Sequence, residues 1–151
     1  MGWYSEVSKD IANLPDCIDF FYKELDKARA EVRIHGNVER ASAQLPGVVE
    51  QRFNQLQEIE AILEFLNIEL RKIKSRIFRK YLENYQRALS SRDAEKFAEG
   101  ESDVVDMEKI INEFAMLRNH WLGIIKGLDI KGFQLNNIIK LRTSGLEDIT
   151  I

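Results

Sequence analysis

Three apolar stripes, each stepping mainly by three and four residues, constrain this chain more than any other feature. In the first, Val7, Ile11, Leu14, Ile18, Phe21, Leu25, Ala28 and Val32 keep strictly to that rhythm. The second is Leu56, Ile59, Leu63, Leu66, Leu70, Ile73 and Ile77, and the third runs from Met107 and Ile111 through Phe114, Leu117, Trp121, Ile124, Leu128, Leu135, Ile138 and Ile139. Such spacing gathers its members on one side of an α-helix, as in a coiled-coil seam. A half-buried strand would alternate with a period of two instead, and no segment here does. The expected fold is all-α: long amphipathic helices forming an extended bundle or coiled-coil protomer that oligomerises. With only 2 Pro and 8 Gly among 151 residues, there is little to interrupt such helices.

Where the breakers fall divides the chain. Pro15 lies inside the first stripe, and a proline there removes a hydrogen bond and clashes with the preceding turn. A break is expected near Asn13–Leu14, separating a helix over residues 5–13 from one over 15–35 that ends at Gly36 as a left-handed cap. Residues 36–45 read as the connection, with room for a short helical turn around Val38–Ala43, and Pro46 fits the first turn of the next helix, where its missing N–H is harmless. That helix is expected to run over 46–89, about 65 Å at 1.5 Å per residue. Ser90 and Ser91 offer caps for a short helix over 91–98, and Ser102 or Asp103 caps the last helix. Residues 1–100 thus read as a helical N-terminal and central region, 101–143 as a C-terminal oligomerisation helix, and 144–151 as a flexible tail. Gly123 and Gly127, four apart, suggest a face where another helix approaches closely.

Several chemistries find no footing. No apolar run reaches the ~20 residues of a membrane span, and the start MGWYSE has neither the basic nor the apolar zone of a signal peptide. Cytosol is the expectation. Cys17 stands alone among apolar neighbours, as a small core filler. His35 and His120 have no metal-ligand spacing, and the glycines build no phosphate-cradling loop. No catalytic residue, metal or cofactor is expected.

The net charge of −3 conceals segregation. Residues 71–80 hold six Lys/Arg and no carboxylate, while residues 93–108 hold seven carboxylates against one Lys. Local fields therefore decide the partner, not the total. The segment RKIKSRIFRKYLENYQR mixes cations (Arg71, Lys72, Lys74, Arg76, Arg79, Lys80, Arg87) with rings (Phe78, Tyr81, Tyr85). Lys and Arg pair with phosphates, and bases of an unpaired strand stack on aromatic rings. On a helix, Lys72, Arg76, Arg79, Lys80 and Arg87 fall away from the Ile73/Ile77 seam, and Tyr81 and Tyr85 share a face. The plainer interpretation is a solvated face beside core aromatics.

The end of the last helix adds a second clue. Gly132-Phe133-Gln134-Leu135-Asn136-Asn137-Ile138-Ile139-Lys140-Leu141-Arg142, preceded by Trp121, resembles the C-terminal ending of the UvsY recombination mediators of T-even-like phages. Lys74 and Arg76 match the Lys-x-Arg pair in that family's strand-binding region, with Phe78, Tyr81 and Tyr85 as aromatic counterparts. The family's paired tyrosines and following glycine are not reproduced, and the likeness covers about the last two-thirds of the chain. The resemblance implies a ring-forming, non-enzymatic mediator. It would bind single-stranded DNA and help load a RecA-like recombinase onto strand coated by single-strand-binding protein, in the cytoplasm of a bacterial host. Assembly would use the last helix: Phe114, Leu117, Trp121, Gly123, Ile124, Gly127, Leu128, Phe133, Leu135 and Ile138. The competing expectation is an oligomeric coiled-coil scaffold or chaperone-like adaptor that binds proteins rather than DNA.

Overall fold

The computed structural model describes residues 2–84 and 90–145. It is all-α, with no strand among the described residues. Helix α1 spans Trp3–Lys9, α2 Leu14–Val32, α3 Val38–Asn84, α4 Ser91–Glu99 and α5 Ser102–Thr143.

The break before α2 falls where Pro15 places it. A 3-10 turn, Ile11–Asn13, fills the gap, started by the Asp10 carboxylate accepting from the Ala12 N–H at 3.0 Å. The preceding helix is shorter than expected, ending at Lys9 rather than residue 13. Helix α2 likewise stops at Val32, and Gly36, at φ +74°, belongs to the connection rather than to the cap. The largest departure concerns α3, which begins at Val38, eight residues before Pro46. Asn37 explains the early start: its side chain accepts from the Arg40 N–H at 3.0 Å and its carbonyl from the Ala41 N–H at 3.0 Å. Pro46 then lies within the helix, where the hydrogen bond it forgoes is outweighed by packing of the flanking turns. Ser90 caps α4, accepting from Asp93 N–H at 3.2 Å. Helix α5 takes Glu101 as its cap residue, so Ser102 is its first helical residue instead of its cap.

Helix α5 runs antiparallel along α3, and α2 packs chiefly on α5 while reaching α3 through long side chains such as Arg52. The register is fixed at both ends. The Lys74 ammonium lies 3.4 Å from Glu108 at one end, and at the other Lys131 Nζ donates to the carbonyls of Glu31 and Arg33 at 2.6 and 3.0 Å. Most members of the three stripes meet inside this bundle, while Ile11 and Ile139 stay exposed. Leu14, Phe21, Leu25, Leu56, Ile59, Leu66, Phe114, Leu117, Trp121 and Leu128 are all buried in one cluster. Phe21 meets Trp121 edge to face at 5.7 Å. At full burial each such side chain contributes about 1.5–3 kcal/mol, so this seam is what holds α2, α3 and α5 together.

Helix α3, 47 residues and about 70 Å long, outruns α2. Its last turns are covered instead by α4 and the start of α5. A second, smaller cluster of Ile77, Ala98 and Val104 joins them, with Leu70, Ile73 and Tyr81 at its edge. The bundle thus has a thick end with three long helices and a thin end where one flank of α3 stays open.

Candidate nucleic-acid interface

The thin end is where the cationic residues lie. Ile77 must face Ala98 and Val104, and this orientation turns the opposite side of α3 to solvent. That side is a shallow depression lined by Ile68, Arg71, Lys72, Ser75, Arg76, Arg79, Lys80 and Glu83. Five cations therefore share one open face with a single carboxylate, over about 14 Å of helix between Arg71 and Lys80.

Local acids hold two of the five only loosely. Arg71 lies 3.4 Å from Glu64 and Lys72 3.1 Å from Glu69, with both cationic side chains about 70 % exposed. Exposed pairs of this sort contribute about 0–1 kcal/mol, so a phosphate can displace them. Arg76 and Arg79 have no ion pair among the described residues. Lys80 lies 5.9 Å from the centre of the Tyr81 ring, a contact that leaves its charge uncompensated.

Two further residues expected to contact the strand lie off this face. Lys74 is half-buried and engaged with Glu108 of α5, on the flank opposite Arg76. A Lys-x-Arg pair is split this way on any helix, because residues two apart project about 200° from each other. Tyr81 is also turned inward. Its ring stacks on Phe97 of α4 at 5.5 Å and 25°, and its hydroxyl bonds to the Glu101 carboxylate. Tyr85 and Arg87 lie outside the described residues. Phe97 was absent from the sequence-derived candidates. The signal for it was the Ala94, Phe97, Ala98 spacing, which marks the side of α4 that meets α3.

The residues assigned to assembly divide as well. Phe114, Leu117, Trp121, Ile124, Leu128 and Leu135 are buried within the protomer, and Ile138 is half-buried. Gly127 faces Val32 of α2, so the close approach it permits occurs inside the chain, whereas Gly123 faces open space. Phe133 is 72 % exposed, and Met116, Leu122 and Ile130 join it on the outer side of α5.

Cys17 is buried and chemically quiet: burial, aided by the nearby Glu58 charge, pushes its thiol up to about 12. Among the described residues no group of His, Cys, Asp and Glu is placed to hold a metal ion, and no helix is long and apolar enough to cross a membrane. The chain matches no protein-family model, and neither curated proteins nor solved structures give a match.

Proposed function

We propose that this chain is a non-enzymatic single-stranded DNA-binding protein, using the outer face of α3 as its strand-binding surface. The observation that carries this reading is the open row of Arg71, Lys72, Arg76, Arg79 and Lys80, which the bundle leaves uncovered while it buries the seam beneath. Contacts of this kind go to phosphates. They are indifferent to sequence and weaken steeply with salt. One such face is too small to hold a strand tightly, but copies arrayed in a ring would add avidity without new contacts. The exposed Met116, Leu122, Ile130 and Phe133 on α5 are among the apolar residues that such an array can use. Together with the UvsY-like ending, this favours a recombination mediator that helps load a RecA-like recombinase onto strand coated by single-strand-binding protein.

The test is charge reversal at Arg76 and Arg79, read by fluorescence anisotropy of a labelled single strand with a duplex control. Binding should fall at least about tenfold while helicity is unchanged, in line with losing two phosphate contacts. Equal binding by the variant would put the site elsewhere.

The second reading is an oligomeric scaffold or adaptor, favoured by the same exposed apolar residues of α5. It expects self-association at micromolar concentration together with negligible oligonucleotide binding at physiological salt.

A further inference from the structure

Helix α4 carries Asp93, Glu95 and Glu99 with Arg92 and Lys96; of these Glu95 and Glu99, with Glu101 of the turn after it, lie on the flank of α3 that carries its rings. Each contact there imitates one that a strand would make. Phe97 stacks on Tyr81 as a base would, at 5.5 Å and 25°. A carboxylate stands where a phosphate would, Glu101 on the Tyr81 hydroxyl; Lys74 beside it is paired with Glu108 of α5, outside the cover. Between the helices remains a cleft of about 390 Å³ lined by Lys74, Ser75, Phe78, Ser91, Glu95, Ala98 and Glu99.

The side chains that α4 itself buries are small. Of the nine residues of α4 only Ala94 and Ala98 are buried, and Phe97 is 48 % exposed. Burying two alanines contributes far less than the large side chains of the main core, so α4 belongs to the low-stability end of the molecule.

We propose that α4 is an acidic cover over a second, ring-bearing half of the strand site, and that single-stranded DNA engaging the outer face of α3 displaces it. This rests on the strand-binding reading above. The outer face supplies phosphate contacts only, and removing the cover adds the rings of Phe78 and Tyr81, which can stack bases, while Lys74 stays with Glu108 of α5. Duplex, whose bases are already stacked on each other, gains nothing from the exposed rings. The cover therefore supplies discrimination between single and double strands that cations alone do not give.

The experiment compares wild type with Phe97→Ala, which loosens the cover without altering charge, using labelled oligothymidylate. Hydrogen exchange of the α4 amides is followed with and without the strand. Phe97→Ala should bind at least about fivefold tighter, because the strand no longer has to break the Phe97–Tyr81 ring pair. Adding Tyr81→Ala to that variant should abolish the gain, and in wild type the strand should speed exchange across residues 91–99. Equal affinity of the two proteins, with α4 exchange unchanged or slowed by bound strand, overturns the cover and leaves the outer-face site standing. Absence of binding by both proteins overturns the site and the cover together.

Discussion

Arg52 holds Glu31 through two parallel hydrogen bonds, Nε to one carboxylate oxygen at 2.8 Å and Nη2 to the other at 2.6 Å, while itself only 2 % exposed. Its remaining nitrogen donates to Glu24 and to Gln55, both at 2.8 Å. One guanidinium thus ties the C-terminal half of α2 to α3. Arg52→Met should destabilise the fold by about 3 kcal/mol, because it strands two partly buried carboxylates. Adding Glu24→Gln and Glu31→Gln should recover most of that loss, as measured by urea denaturation.

Glu24 gives the bundle an acid limit. Its carboxyl is lowered from 4.5 to about 2 by the hydrogen bond from Lys27, with Gln55 and Arg52 assisting and burial opposing. A carboxylate more acidic in the folded state stabilises that state above its unfolded value and loses the effect as pH falls towards the folded one. Stability should therefore decline between about pH 4.5 and pH 2, by on the order of 3 kcal/mol from this group. Glu24→Gln should flatten that part of a stability–pH profile taken from thermal unfolding.

The two glycines of α5 should respond in opposite directions. A Cβ at Gly127 would sit 2.9 Å from Val32 Cγ1, while one at Gly123 would meet nothing within 4 Å. Gly123→Ala should stabilise by up to about 1 kcal/mol through helix propensity alone. Gly127→Leu should destabilise by about 1–3 kcal/mol by prising α2 from α5. Midpoints of chemical denaturation distinguish the two.

Trp121 is the largest fully buried side chain, and Phe21 meets it edge-on. Trp121→Ala should lose about 3–5 kcal/mol, whereas Phe133→Ala, at a 72 % exposed position of the same helix, should stay within about 0.5 kcal/mol.

What the sequence disclosed was the set of buried seams, because stepping by three and four leaves a helix few choices of inward face. Leu56, Ile59, Leu63, Leu66 and Ile77 are all buried. The start of α3 was hidden because Pro46 resembles a first-turn proline, and Val38–Ala43 reads locally as no more than a short turn after the Asn37 cap, nine residues earlier. Arg52 was missed although it stands four residues before Leu56, in line with the stripe; a cation at a seam position is the signal that could have revealed it. The cationic row was legible from helix geometry. The inward turn of Tyr81 was not, because it depends on Phe97 and Glu101 arriving from beyond the end of α3.

The most direct test of the strand-binding face is the salt dependence of single-strand affinity for the wild-type protein, by anisotropy at several salt concentrations. Engagement of all five cations gives log K against log salt a slope of about −3.5. Charge reversal of Arg76 and Arg79 should make that slope shallower by about 1.4, two phosphate contacts fewer. A slope near zero, or binding that only appears with duplex, would contradict the assignment.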